Sequence, residues 1–250
     1  MADVHIFPDR ALMGAAAAHE IATELRAVLA RKSNVRIVFA AAPSQVEMLS
    51  ALVAEPDIDW TLVTAFHMDE YLGLASNAPE RFGNWLRAEI FARLPFGAVH
   101  YIDADIDPRT AVADYAGLLA EAPLDIVCLG IGMNGHIAFN DPPVAIFDDP
   151  DVVKVVLLDQ VCRAQQVEDG CFARLEDVPA AAITLTIPTL VNAHRLICVV
   201  PGKLKAHALR ATLVNPVSTA CPSTILRTHP ACTIYADADA ASLLDATKLA

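Results

Sequence analysis

The sequence has little of several features that would place a protein in a common class. Its 250 residues include only 10 glycines, no C-x-x-C pair among six cysteines, and no run of lysine and arginine longer than Arg31-Lys32. No apolar run reaches the ~18 residues that a membrane span needs. A formal net charge of −12 leaves no basic face for a phosphodiester backbone. We therefore expect neither a nucleic-acid partner nor a membrane partner.

The cysteines and the N-terminus bear on the cellular compartment. The six cysteines are dispersed, and two of them lie in apolar strand-like runs, which favours buried reduced thiols over disulfides or metal ligands. The first ten residues contain no basic segment that leads into an apolar one. These observations predict a cytoplasmic protein without a metal site.

Apolar residues make up 55% of the chain, enough for a large core, and they recur in short strand-like runs with amphipathic segments between them. The predicted strands are 35–42, 61–66, 125–130, 154–158, 182–186, 196–200 and 232–235, and the predicted helices are 11–31, 44–54, 81–94, 109–121, 204–213 and 238–249. Continuous apolar runs are typical of strands covered on both faces. The pattern predicts one α/β domain over residues 1–250, with a doubly wound, mostly parallel sheet and helices on both faces.

Prolines interrupt this alternation once. Pro142-Pro143 and Pro150 mark an irregular stretch after a glycine-rich segment. Its length predicts a mobile flap beside the ligand pocket, around residues 141–180.

The glycine-rich segment, Gly130-Ile-Gly-Met-Asn-Gly135, has the G-x-G-x-x-G spacing of dinucleotide-binding proteins, and acidic residues follow about 20 positions later. That fingerprint requires a helix that begins at the third glycine. Here the chain reaches Pro142-Pro143 within two turns, so no pyrophosphate-binding helix can form. We expect no nicotinamide or flavin cofactor.

Two strand ends carry groups suited to proton transfer. His136 follows Gly135, whose missing side chain lets the backbone approach a ligand, and Asp69-Glu70 follows the strand at 61–66. The alternatives are a histidine that caps a turn and an acidic loop or helix cap. Because parallel strands bind ligands at their carboxyl ends, both groups at one edge favour an enzyme site for proton transfer next to a carbonyl.

The chain resembles the glucosamine-6-phosphate deaminase family, which shares its fold with the 6-phosphogluconolactonases. The resemblance lies in Met68-Asp-Glu-Tyr71, Gly135-His-Ile-Ala-Phe-Asn140 and Gly202-Lys-Leu-Lys-Ala206. The first two segments favour the deaminase branch, because the lactonases typically have arginine after Asp-Glu and Ser-Leu-Phe-Pro after Gly-His.

The resemblance implies opening of an amino sugar ring, proton transfer between C2 and C1, and loss of ammonia to leave a ketose phosphate. By position Asp69 is the base that carries the proton, and His136 assists ring opening. Lys205 matches a phosphate-contacting lysine near a helix start.

The chain departs from the family around the histidine. The family usually has an aspartate two residues before it and a glutamate five residues after it, where this chain has Asn134 and Asp141. Asn134 can form hydrogen bonds but cannot stabilise an imidazolium with charge, which leaves that role to Asp141.

The phosphate-binding elements also differ. A Ser/Thr-Gly-Gly-Thr type turn is replaced by Ala40-Ala-Ala-Pro-Ser-Gln45, in which Ser44 and Gln45 begin a helix and are the remaining candidates for anion binding. A family arginine has no match in Gln165-Gln-Val-Glu-Asp169, and Arg163 is the candidate substitute. The alternative is a substrate without a 6-phosphate.

Three functions remain open at this stage. The first is isomerisation and deamination of an amino sugar phosphate or a close relative, with a small-molecule sugar phosphate as the partner. The second is lactone hydrolysis, and the third is a non-catalytic sugar-phosphate-binding protein on the same fold. The family includes both monomers and homo-oligomers, so the assembly state stays open as well.

Overall fold

A computed structural model describes residues 2–244. The strands are β1 (Asp3–Phe7), β2 (Val35–Phe39), β3 (Val63–His67), β4 (Asp69–Tyr71), β5 (Ala98–His100), β6 (Ile126–Leu129), β7 (Val153–Leu157), β8 (Ala181–Leu185), β9 (Arg195–Val200) and β10 (Cys232–Asp237). The helices are α1 (Arg10–Leu29), α2 (Val46–Val53), α3 (Phe82–Leu86), α4 (Pro108–Ala120), α5 (Gln160–Glu168), α6 (Ile187–Val191) and α7 (Ala206–Val214). None of the helices between residues 2 and 244 is both long enough and apolar enough to cross a membrane.

Seven strands form a parallel sheet in the order β1-β10-β9-β6-β2-β3-β5. Side chains alternate between the faces of a strand, so Ile37 and Phe39 of β2 enter one core while Val38 enters the other. The first core includes α1 and α2, and the second includes α4 and α7. The doubly wound parallel sheet predicted from the sequence is therefore confirmed.

The predicted strands at 154–158 and 182–186 do not join this sheet. They form β7 and β8, which pair with β4 in a separate antiparallel sheet of order β4-β8-β7. Apolar content identified these strands but not their partners, because pairing depends on where the chain turns. The predicted flap region thus contains β7 and α5, and its mobility stays a prediction.

Several further elements differ from the sequence prediction, and among them β4, β5, α5 and α6 were not predicted. The edge strand β1 was not predicted, because polar residues alternate with apolar ones where only one neighbour covers it. The helix predicted at 81–94 is α3 followed by a π-helical turn, Arg87–Phe91. In place of the helix predicted at 238–249, Ala240–Leu243 forms a 3-10 turn, and positions 245–250 lie outside the described residues.

A glycine sets the distance between α1 and α2. A Cβ atom placed on Gly14 would lie 2.6 Å from Cβ of Glu47 and 2.7 Å from its carbonyl carbon. The two backbones are therefore close enough to exclude even a methyl group. Gly117 in α4 is different, because a Cβ atom there would meet nothing within 4 Å.

We predict that Gly14→Ala lowers the free energy of unfolding by about 1–3 kcal/mol, because the helices must separate to admit the methyl group. Gly117→Ala is the matched control and should raise stability by about 0.5–1 kcal/mol, since alanine is the better helix former. Urea denaturation of both variants measures the difference. Equal stabilities would show that the contact at Gly14 does not limit the packing of α1 on α2.

Candidate functional site

A cavity opens at the carboxyl edge of the parallel sheet. It brings together five of the predicted site residues, which come from the chain after β2, β3, β6 and β9: Ser44, Gln45, Asp69, His136 and Lys205. This is the edge where parallel α/β sheets bind small molecules.

Asp69 is the carboxylate that faces this cavity. It is only 5% exposed, and neither a side chain nor an amide of the described residues hydrogen-bonds to its carboxyl group. Burial, assisted by the charge of Glu70, raises the pKa of Asp69 well above its usual value. A carboxyl group with a raised pKa binds a proton more strongly, which suits a group that takes a proton from carbon and returns it.

Glu70 has a structural role, although it is the next residue in the chain. Its carboxyl oxygens accept hydrogen bonds from the amides of Tyr71 at 2.8 Å, Phe82 at 3.0 Å and Gly83 at 2.9 Å. Glu70 thereby ties β4 to the first turn of α3, where amides lack partners within the helix. The acidic pair predicted from the sequence thus divides into one group in the cavity and one helix cap.

His67 holds the backbone of Asp69 in place through a hydrogen bond to its carbonyl group. Its Nδ1 donates to the carbonyl oxygen of Asp69 at 2.8 Å, and its Nε2 accepts from the amide of Ile102 at 2.9 Å. The ring is fully buried, which lowers the pKa of His67 to about 4. A neutral imidazole is required here, because a proton on Nε2 would face the N–H of Ile102.

His136 lies opposite a glycine that makes room for its ring. A Cβ atom on Gly132 would come within 2.1–2.3 Å of three atoms of the imidazole. The preceding residue, Gly135, has a φ of +81°, a conformation that favours glycine. Gly132 and Gly135 therefore determine where the ring of His136 can lie.

The remaining parts of the G-x-G-x-x-G segment serve the same cavity. Gly130 packs against the amide of Gln45, where a Cβ atom would lie 3.0 Å from Nε2. The first regular element that the structure describes after Gly135 is the strand β7, so no helix begins at the third glycine. The segment therefore does not have the geometry of a pyrophosphate-binding turn.

Asp141 and Asn134 orient the imidazole. Nδ1 of His136 lies 2.9 Å from Oδ1 of Asp141, and the amide of Asn134 donates to the same oxygen at 2.9 Å. The Asn134 side chain also accepts from the backbone N–H of His136 at 3.0 Å. Burial by itself raises the pKa of Asp141, but the contacts with His136 and Asn134 outweigh it and hold the pKa below its usual value. Both residues lie behind His136, outside the cavity wall.

A cysteine completes this cluster. Candidate ligand atoms of His136, Asp141 and Cys162 lie within 4.8 Å of one another, and all three residues are buried. Burial raises the pKa of Cys162 far above its usual value, so the thiol remains protonated. Nδ1 of His136 and Oδ1 of Asp141 lie 2.9 Å apart, a distance typical of an ion pair.

The end of the cavity near Lys205 contains neutral hydrogen-bonding groups. Nε2 of Gln45 donates to Oγ of Ser44 at 3.1 Å, and Gln45 is completely buried. Lys205 closes a 3-10 turn before α7 and is 6% exposed. Burial lowers the pKa of its ammonium group.

Arg163 lies elsewhere. Its guanidinium donates to the carbonyl oxygens of Leu175 at 2.9 Å and Val178 at 2.8 Å, and the residue is not part of the cavity wall. Its assignment as a phosphate ligand stays a prediction, with its terminal nitrogen engaged in backbone contacts. Gly135 likewise lies outside the wall, where it supports the turn that carries His136.

Sequence reasoning missed three residues of α5 and its end that line the cavity: Gln165, Gln166 and Asp169. The sequence analysis considered this segment only for an arginine that it lacks. An amphipathic helix that begins at Gln160 could have indicated them, because Gln165 and Gln166 lie on its buried face and Asp169 is its C-terminal cap. Phe82 and Phe139 add stacked aromatic rings, 5.5 Å apart between centroids, to the same wall.

The neutral state of His67 predicts a pH dependence of stability. Since its pKa in the folded protein, about 4, lies below the ordinary 6.5, its contribution is complete above pH 6.5 and is lost as the pH falls toward 4. We expect the free energy of unfolding to fall by about 3 kcal/mol more over this range than in His67→Gln. The matched control, His207→Gln at an exposed position of α7, should retain the wild-type dependence. Chemical denaturation at several pH values measures it, and parallel curves for wild type and His67→Gln would contradict the prediction.

Comparison with known proteins places this geometry in a family. A family model described as "Glucosamine-6-phosphate isomerases/6-phosphogluconolactonase" matches residues 8–235. A glucosamine-6-phosphate deaminase of Listeria innocua is 37% identical over 199 residues, which cover 79% of this chain and 83% of that protein. One from an Exiguobacterium species is 34% identical over 186 residues, covering 74% and 71% of the two chains.

Solved structures of proteins with these functions have the same fold as this chain. A monomeric glucosamine-6-phosphate deaminase superimposes with a TM-score of 0.88 and 25% identity over 96% of this chain and 99% of that one. The 6-phosphogluconolactonase of Trypanosoma brucei has the same fold, with a TM-score of 0.78 and 16% identity over 98% and 99% of the chains. The chain belongs to the glucosamine-6-phosphate isomerase/6-phosphogluconolactonase family.

Proposed function

We propose that the protein catalyses isomerisation and deamination of an amino sugar phosphate or a close sugar relative, with glucosamine 6-phosphate and water giving fructose 6-phosphate and ammonia. The observation that carries this proposal is the Asp69 carboxyl group, buried without a hydrogen-bond partner among residues 2–244, in the same cavity as His136. The family membership and the named deaminases support it.

The proposed mechanism divides the proton transfers between these two side chains. His136, held by Asp141, moves a proton from the anomeric hydroxyl toward the ring oxygen, and the ring opens to the aldehyde. Asp69 then removes the proton from C2 and returns it to C1, which converts the aldose into a ketose imine. Water adds to C2 and ammonia leaves, so the product is the ketose. The remaining bond changes are the opening of the ring at C1 and the departure of ammonia from C2, and the proposed mechanism uses no cofactor.

Lactone hydrolysis is the second candidate, supported by the shared fold. It requires only a water molecule activated by a histidine. His67 holds Asp69 through its carbonyl group, and Glu70 has a separate role as a helix cap. A carboxyl group held in this way in the cavity favours the deaminase, which needs a base at this position. A protein that only binds sugar phosphates would have no use for a carboxyl group with a raised pKa in the cavity.

We further propose a cytoplasmic location. All six cysteines are free thiols, and five of them are buried, which fits a reducing compartment.

Asp69→Asn should lower the rate of ammonia release by about a hundredfold or more, because an amide cannot accept the C2 proton. Ligand affinity should change little, since the side chain keeps its size. Asp148→Asn, the same substitution at an exposed position outside the cavity wall, is the matched control and should keep the wild-type rate. Ammonia and ketose are measured together, and full turnover by Asp69→Asn would remove this residue from the mechanism.

Asn134→Asp should slow the reaction. The asparagine amide now donates to Asp141, whereas a carboxylate at 134 would face the carboxylate of Asp141 at about the same 2.9 Å separation. Like charges at this distance raise each other's pKa and disturb the acceptor that orients His136. We expect kcat to fall about tenfold, which is less than the loss of a general acid or base itself would cause. Asn77→Asp, at an exposed position outside the cavity wall, is the control, and an unchanged kcat for Asn134→Asp would contradict the role given to the amide.

A further inference from the structure

The two side chains proposed to act in catalysis lie in separate segments that meet at strand β8. Asp69 of β4 pairs with Thr184 of β8 in the antiparallel register. The segment that follows His136 reaches the same residue, because the amide of Phe139 donates a hydrogen bond to Oγ1 of Thr184 at 3.1 Å. Thr184 therefore contacts both the strand that carries Asp69 and the turn that carries His136.

The hydroxyl group of Thr184 is used both as an acceptor and as a donor. Besides accepting from Phe139, its Oγ1 donates to the carbonyl oxygen of Leu185 at 3.1 Å. Asn140 donates through Nδ2 to the same carbonyl oxygen at 2.8 Å. Thr184 and Asn140 are both completely buried. The turn is therefore attached to β8 by buried hydrogen bonds that depend on side chains.

Ala138 needs this attachment, because its backbone has an unfavourable conformation. Its φ is +50°, in the left-handed region that alanine rarely adopts. On one side of it, the carbonyl oxygen of Ile137 accepts from Nδ2 of Asn140 at 3.0 Å. On the other side, the amide of Phe139 donates to Thr184. A strained residue persists only where surrounding contacts of this kind determine its conformation.

The strained residue lies inside the turn that forms the contact between His136 and Asp141. Ala138 follows His136 by two residues and precedes Asp141 by three. The turn places Nδ1 of His136 at 2.9 Å from Oδ1 of Asp141. The backbone conformation at Ala138 therefore sets how these two side chains approach each other. A turn of different shape would move the imidazole away from the carboxylate that orients it.

We propose that Thr184 is a positioning residue, whose hydroxyl group holds Ala138 in the left-handed conformation and so keeps His136 in the geometry that proton transfer requires. Thr184 is not part of the cavity wall, so it acts through the turn and not on the substrate. This inference rests on the proposed function and adds to it a residue that the sequence analysis did not identify.

Thr184→Val tests this role, because valine has nearly the shape of threonine but cannot accept a hydrogen bond. With glucosamine 6-phosphate as the substrate, we expect kcat for ammonia release to fall about tenfold, since a small displacement of a reacting group slows a reaction strongly. KM should stay nearly unchanged, because the hydroxyl group lies outside the cavity wall. Thr184→Ser keeps the hydroxyl group and should retain most of the wild-type kcat.

Thr233→Val is the matched control. Thr233 is a buried threonine of β10, and its hydroxyl group accepts from Arg195 at 2.6 Å and donates to Glu20 at 3.2 Å. It lies near the amino end of its strand, away from the carboxyl edge where the cavity opens. Both valine variants should unfold at a lower denaturant concentration than the wild type, whereas only Thr184→Val should lose kcat. The control thus separates a loss of stability from a loss of positioning.

A second substitution tests whether Thr184 acts through Ala138. Glycine adopts positive φ values about as readily as negative ones, so the turn with Ala138→Gly depends less on the hydroxyl group. In the Ala138→Gly background, Thr184→Val should lower kcat by only about threefold, compared with about tenfold in the wild-type background. An equal loss in both backgrounds would show that Thr184 does not act through the conformation of Ala138.

Amide hydrogen exchange in the wild type requires neither turnover nor a variant. The amide of Phe139 should exchange about a hundredfold more slowly than an unstructured amide, because it donates to a buried hydroxyl group. Exchange at the unstructured rate would overturn the proposal even if Thr184→Val failed to fold.

The outcomes separate this proposal from the proposed function. A wild-type kcat in Thr184→Val, or an equal loss in Thr184→Ser and Thr184→Val, overturns the positioning role and leaves the deaminase intact. If the wild type releases no ammonia from glucosamine 6-phosphate, the proposed function fails, and exchange of the Phe139 amide still decides whether Thr184 holds the turn.

Discussion

The constraint on which the site depends is the change of sheet at Met68. β3 ends the parallel sheet at His67, β4 begins the antiparallel sheet at Asp69, and the carbonyl of Met68 accepts from the amide of Leu185 at 2.8 Å. Because one residue separates the two sheets, the chain has no freedom to move Asp69 along the cavity. A buried carboxyl group without a partner is unfavourable, and it persists only where the surrounding structure over-determines its position.

The second side chain proposed to act in catalysis is held by different means. His136 lies in an irregular segment rather than at a sheet junction, so its ring is placed by a glycine that makes room for it and by a carboxylate that orients it. Asn134 joins the two by bonding to Asp141 and to the backbone of His136. A charged group at 134 is unnecessary in this arrangement, since the negative charge that supports an imidazolium comes from Asp141. The chain's departure from the family pattern thus preserves orientation by hydrogen bonding.

The same segment also connects the cavity to α5. Met133 lies between Gly132 and Asn134, and its amide donates to Gln165, which in turn donates to Asp169. Gln165 and Asp169 both line the cavity, so part of its wall is anchored to the turn that carries His136. Families that share one fold commonly diversify in this way, with rigid strand ends for chemistry and adjacent helices or loops for selectivity.

Much of this could be predicted from the sequence. Apolar runs and the polar residues after them located β2, β3, β6, β9 and the two side chains proposed to be catalytic, because burial and strand ends depend on local pattern. The pair Pro142-Pro143 was sufficient to exclude a dinucleotide-binding helix, because proline restricts the backbone at its own position whatever the rest of the fold. The sequence by itself thus determined the parallel sheet, the edge at which the site lies, and the identity of Asp69 and His136.

Only the tertiary structure decided the relationships between distant segments. Glu70 and Asp69 are adjacent and chemically alike, yet the position of α3 makes one a cap and the other a cavity group. Likewise, β7 and β8 form a separate sheet, Arg163 donates to backbone carbonyls, and Asp169 lines the same cavity as Lys205. Pairing and electrostatic contact depend on residues far apart in the chain, and no local pattern encodes which of them will meet.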